Sequence, residues 1–175
     1  MYYWYLATGW KGVRLLNQSN GRWVIALTLL VALWLAIVPL PVWAQWGRPE
    51  FVAMVLVYWV IALPERVGIG MAWVVGLLQD IMEGSPLGQH AFALAVLAYL
   101  SLILYQRLRM YTPVQQAAVI FVLIGLNQLL CHWVETLTGT VSPNLLFLLP
   151  ALVSALLWPL LSLFLRVLRR AYYVT

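Results

Sequence analysis

Long apolar runs, divided by short clusters of polar residues, glycine and proline, organise this chain. The first run, 23–43, follows a polar stretch with Lys11, Arg14, Asn17, Gln18, Ser19, Asn20 and Arg22. At about 20 residues it is long enough to cross a bilayer as a helix. Pro39 and Pro41 break it, and Gln45 to Glu50 read as a loop. The second run, 51–63, makes a helix of only about 20 Å, which requires a thinned bilayer or burial against neighbours. Pro64-Glu65-Arg66 interrupts the pattern before a third run, 67–83, which carries Gly68, Gly70 and Gly76 and ends near Asp80 and Glu83. These two runs form a tight hairpin.

Gly84-Ser85-Pro86 combines a residue suited to follow a helix, an N-cap and a first-turn proline. A fourth helix is therefore expected from 86 to 106, about 31 Å long. Arg107, Arg109, Thr112 and Pro113 close it. A fifth run covers 114–135, and a loop around Gly139 leads to a sixth, 145–165. Residues 1–22 and 166–175 are read as tails. The expectation is one integral membrane domain, all-α and polytopic, with six transmembrane helices.

Composition strengthens this reading. Of 175 residues, 65% are apolar and 9% charged, and the mean hydropathy is +0.93, far from soluble globular chains. Six spans of about 20 residues use roughly 120 and leave about 55 for everything else. No separate ATPase, DNA-binding module or extracellular enzyme domain fits. Function must sit in spans, short loops or contacts with other proteins.

Charge supplies the orientation. With six spans, Lys11, Arg14, Arg22, Arg66, Arg107, Arg109, Arg166, Arg169 and Arg170 share one side and Arg48 alone lies on the other. This asymmetry places both termini in the cytoplasm. Glu50, Asp80, Glu83 and Glu135 fall toward the opposite side, with Glu65 inside. The formal charge of +5 then serves topology and contact with the lipid bilayer, and no nucleic-acid partner is expected. A competing reading takes Val42-Trp43-Ala44 as a signal-peptidase site that would remove the first span. The ten tryptophans fall mostly near span ends, as interfacial belts do.

Few residues offer chemistry. An ionisable group inside a span costs about 2.5–3.5 kcal/mol at the bilayer centre, so Asp80 draws a functional hypothesis by default. It is either a buried carboxylate bonded to a neighbouring helix or a partner's span, or a solvated group near a helix end. Glu83 has the same two readings. Helical spacing puts Asn127, Cys131 and Glu135 on one face of the fifth span, with Gln128 and His132 beside them. Hydrogen bonding between helices explains this set, whereas a metal would need a third strong ligand such as Asp80. The single Cys131 makes no internal disulfide. Gly68, Gly76, Gly84 and Gly88 suit close packing or turns. No catalytic constellation, metal site or cofactor site assembles, so no enzyme activity is expected.

Taken in order, several short motifs resemble a known family: Gly21-Arg22-Trp23-Val24-Ile25, Tyr58-Trp59, Ala62-Leu63-Pro64-x-Arg66-Val67, and Gly76-x-x-x-Asp80-x-x-x-Gly84-Ser85-x-Leu87-Gly88 followed by Ala98-Tyr99-Leu100. With Trp133-x-Glu135 and Leu157-Trp158-Pro159, they resemble the MreD rod shape-determining proteins of Gram-negative bacteria over about residues 21–170. The resemblance implies a multi-pass subunit of the bacterial inner membrane in the cell-elongation machinery. Its implied partners are MreC, the actin-like MreB, and RodA with its penicillin-binding transpeptidase. It further implies a fold similar to the substrate-binding subunits of energy-coupling-factor vitamin transporters, so a small-molecule-binding role is the alternative. Gly76, Asp80, Gly84 and Gly88 are then the family signature, expected to set the hairpin between third and fourth spans. Asn127, His132 and Glu135 are further candidates for structural or interaction roles.

Overall fold

The computed structural model describes residues 22–39, 41, 47–139 and 148–172. The expectations for the N-terminal tail, for Val42-Trp43-Ala44 and for the loop 140–147 lie outside them. Among the described residues all regular structure is helical: α1 (Arg22–Ile37), α2 (Phe51–Ala62), α3 (Ile69–Glu83), α4 (Gln89–Met110), α5 (Pro113–Thr138) and α6 (Leu149–Ala171). Three of them, α4, α5 and α6, are long and apolar enough to cross a membrane.

α2 occupies the centre. Its 12 residues are apolar on every side, and all but Phe51 are buried, as a helix without a polar face requires. α4 packs along it, α6 and α5 reach it more weakly, and α3 lies against α4. α1 joins through Ile25, Leu29, Ala32 and Leu33 in the common core. It is also tied by Trp59, whose indole N–H donates to Thr28 Oγ1 at 2.8 Å.

Helix ends differ from the sequence expectation for local reasons. α1 stops at Ile37 rather than 43, ahead of Pro39, because proline removes a backbone donor and disfavours helical geometry in the residue before it. Arg48 then closes this end by donating to the Leu35 and Val38 carbonyls at 2.8 and 3.2 Å. α4 starts at Gln89, not Pro86, since the turn residues Gly84 and Gly88 are both left-handed. It runs on to Met110, so Arg107 and Arg109 form its last turn, where cations offset the helix dipole. α6 likewise extends to Ala171 and holds Arg166, Arg169 and Arg170 on the helix rather than in a tail. α5 opens with a capping box in which Thr112 and Gln115 serve each other, and Pro113 takes the first helical position.

Two tryptophans depart from the interfacial expectation. Trp59 and Trp158 are fully buried, and each indole N–H has a partner, that of Trp158 being Gln116 Oε1 at 3.1 Å. Trp23, Trp34, Trp73 and Trp133 face outward. The bundle is sorted by charge along its axis. At the end where α2, α4 and α6 finish, Arg109 donates to the Ala62 carbonyl at 3.0 Å and shares a cavity with Arg166 and Arg169. The opposite end carries Glu50, Gln79 and Glu83 around a second cavity.

Candidate functional site

The densest polar cluster lies where α3 turns into α4. α4 begins without a cap of its own: Gly88 is its N-cap, at φ 98°, and has no side chain to offer. The exposed donors of the first turn are met by Asp80 of α3. Its Oδ2 accepts from Gly88 N at 2.9 Å and from Ala91 N at 3.4 Å, and its Oδ1 accepts from His90 N at 2.9 Å. Ser85 donates its hydroxyl to Oδ1 at 2.9 Å. His90 Nδ1 reaches the same oxygen at 2.9 Å, a contact that calls for a hydrogen on Nδ1, since an ionised carboxylate only accepts. Asp80 is 1% exposed, so it is no solvated helix-end group. A carboxylate binds well at a helix N-terminus, and here it comes from the preceding helix.

The glycines make this geometry possible. A Cβ on Gly76 would come within 2.7 Å of the His90 carbonyl carbon and closer still to the Ala91 backbone. Only glycine lets α3 approach α4 closely enough for Asp80, one turn on, to reach the helix start. Gly84, at φ 70°, ends α3 in the left-handed conformation, and Ser85 N donates back to the Asp80 carbonyl at 3.1 Å, a Schellman-type closure. The structure thus brings Gly76, Asp80, Gly84 and Gly88 into one corner.

Around it, Gln79 Nε2 donates to Glu83 Oε1 at 3.0 Å, and Glu83 Oε2 lies 3.6 Å from His90 Nε2. Gln89 turns the other way and donates to Glu135 Oε1 at 2.9 Å, linking α4 to α5. Glu135 Oε2 also faces His132 Nδ1 at 3.8 Å. Asn127 lies two turns deeper on α5, buried, with its Oδ1 unpartnered among the described residues, as are the side-chain oxygens of Gln89 and Gln128. Glu50, in the loop before α2, has its carboxyl pushed up mainly by burial, with Glu83 adding repulsion and His90, Gln128 and Arg48 opposing. Among the described residues no group of three His, Cys, Asp or Glu is placed to hold a metal.

Sequence reasoning missed His90, Gln89 and the role of Ser85, which it read as an N-cap. A signal was available: a helix that opens on Gly88 lacks a capping side chain, and Asp80 on the adjoining arm of the hairpin can supply one. Chemically the corner is saturated. The acceptor sites of the Asp80 carboxylate, about four, are all engaged, so none is left for proton abstraction, and the group works as a lock between helices.

The sequence pattern of the rod shape-determining protein MreD matches residues 17–168. The chain belongs to the MreD family. The rod shape-determining protein MreD of Haemophilus influenzae is 34% identical over 150 residues, which cover 85% of this chain and 93% of the relative. No solved structure matches the chain. Together with the apolar helices α4 to α6, membership in the MreD family makes this a rod shape-determining membrane protein. The Asp80 corner falls inside the matched region, as do Glu50, Asn127, Gln128, His132 and Glu135.

Proposed function

We propose that this protein is a non-enzymatic, multi-pass subunit of the inner membrane that assembles with MreC and, directly or through it, with MreB, RodA and the penicillin-binding transpeptidase to support peptidoglycan synthesis in rod-shaped growth. The family match over residues 17–168 carries the proposal. Outward apolar faces support it: Ile69, Trp73, Val74, Leu78 and Ile81 on α3 lie open while the opposite face of the helix is locked to α4. The corner around Asp80 then holds that outward face at a fixed angle for a partner span. Depletion in a rod-shaped cell should round the cells and release MreC from the complex. Rod growth with MreC still recruited would refute the proposal.

One observation favours a second reading, a small-molecule binder of the vitamin-transporter type. A cavity of about 420 Å³ opens between α1, the 48–50 loop and α3, lined by Arg48, Glu50, Gln79 and Glu83, within the size range of ligand pockets. A thermal-shift panel of charged metabolites tests it. Specific stabilisation lost in R48Q would support this reading, and a panel without any shift counts against it.

A further inference from the structure

We propose that the cavity at the Glu50 end of the bundle binds the headgroup of an amine-bearing zwitterionic phospholipid, with its ammonium on Glu50 and Glu83 and its phosphate on Arg48. The proposal rests on the premise of the small-molecule reading above, that this cavity takes a ligand, and differs in the ligand it names. The cavity holds about 420 Å³ and is lined by one cation, Arg48, and two carboxylates, Glu50 and Glu83. Arg48 commits Nη2 to the Leu35 and Val38 carbonyls, and among the described residues it makes no ion pair within 4 Å. Its Nη1 and Nε groups carry the rest of a fork that matches phosphate oxygens. Around the carboxylates the shortage is of donors. Burial and the neighbouring Glu83 both act against a charged Glu50, and Gln128, which hydrogen-bonds Glu50, keeps its own Oε1 buried and unpartnered among the described residues. A primary ammonium brings a positive charge and several N–H donors to this spot at once.

Position selects a lipid over a soluble zwitterion. The lining comes from the last turns of α1 (Ala36, Ile37) and α3 (Met82, Glu83) and from the first turn of α2 (Phe51, Val52), so the cavity lies where three helices end. Glu83 faces His90 in the first turn of α4. α4 has 22 residues, about 33 Å at 1.5 Å per residue, close to one hydrocarbon thickness. Its first turn, and the cavity level with it, therefore sit at headgroup depth. Ile37 and Met82 line the cavity and are also open on the outer surface, so the cavity borders the lipid-facing side of the bundle. A headgroup there is at high local concentration, and the apolar side chains of the lining suit the glycerol end of the same lipid.

The test uses the full chain purified in a neutral detergent. Thermal unfolding is followed during titration with phosphatidylethanolamine, phosphatidylglycerol or phosphatidylcholine of matched chains, or with free phosphoethanolamine. Wild type should be protected by phosphatidylethanolamine at about tenfold lower concentration than by the other two lipids, the scale of a charge-assisted hydrogen bond. Phosphatidylglycerol lacks the ammonium, and the quaternary amine of phosphatidylcholine has no N–H to donate. E50Q/E83Q should abolish that preference, and E65Q, an exposed site at the opposite end of the bundle, should keep it. If the double variant does not fold, E83Q alone, whose side-chain oxygen still accepts from Gln79, should lose about threefold. R48Q should need about fivefold more phosphatidylethanolamine, as for one basic residue near a membrane surface. Equal protection by the three lipids overturns the proposal, as does an E50Q/E83Q response like wild type. Protection by free phosphoethanolamine matching that of the lipid overturns the lipid assignment. A shift with a charged metabolite and no lipid preference overturns the lipid and leaves the small-molecule reading standing, whereas no shift with any ligand overturns both.

Discussion

His90 meets Asp80 twice, through its backbone N–H at 2.9 Å and through its ring Nδ1 at 2.9 Å, both on the same carboxylate oxygen. One side chain on α3 thus holds both the first turn of α4 and the orientation of the imidazole that faces Glu83. Asp80→Asn keeps one acceptor oxygen and turns an NH₂ group toward donors that need an acceptor. The expected loss is about 2–3 kcal/mol, read as a lower unfolding temperature in micelles and as weaker co-purification with MreC. Wild-type stability in D80N would mean that the corner does not hold the two helices together.

Gly76 and Gly84 should fail for different reasons. Gly76→Ala drives a methyl group into the Ala91 backbone and should cost about 1–3 kcal/mol through overpacking, with larger side chains worse. Nothing lies within 4 Å of a Cβ on Gly84, but its φ is +70°, so Gly84→Ala should cost about 1–2 kcal/mol from backbone strain alone. Asn, which tolerates the left-handed region, should recover part of the loss at 84 and be worse than Ala at 76. Thermal unfolding of the four variants separates these outcomes, and the same rank order at both sites would contradict the assignment.

Trp158 donates to Gln116 Oε1 in the core, while Gln116 Nε2 donates to the Leu108 carbonyl at 2.8 Å. Trp158→Phe leaves that oxygen buried without its donor and should cost about 1–3 kcal/mol. In a double-mutant cycle with Gln116→Leu, the two changes should couple by at least about 0.5 kcal/mol. Strict additivity would show that the bond contributes nothing.

Glu50 gives a pH dependence of defined sign. Burial raises its carboxyl above the ordinary value of 4.5, so the folded state holds this proton to higher pH than the unfolded chain does. Stability should therefore be greater at low pH and fall as pH rises above about 4.5 toward the raised folded-state value. Glu50→Gln should flatten the part of the stability–pH curve due to this group. An unchanged slope in E50Q would place the titration elsewhere.

Six apolar runs were legible because glycine and proline punctuate them, and three of the helices they form are long and apolar enough to cross a membrane. Their ends were less so, for the stop at Ile37 and the start at Gln89 depend on proline geometry and on a cap supplied from another helix. Gly76, Asp80, Gly84 and Gly88 stood out as a set through the family resemblance, and their joint geometry rests on a contact across the hairpin that no helical period encodes. The α5 candidates divide: Glu135 and His132 face each other, and Gln89 ties Glu135 to α4, while Asn127 is buried apart from that pair. Trp59 and Trp158 were misplaced because an indole suits an interface and a core equally well, and only the partner of its N–H decides.

The shortness of α2 shows what its apolar sequence is for. Its 12 residues span about 18 Å, against about 30 Å of hydrocarbon in a typical bilayer. Every residue of it but Phe51 is covered by the rest of the bundle, so its hydrophobicity is that of a protein core, and its length is free of the match to bilayer thickness that governs a helix in contact with lipid.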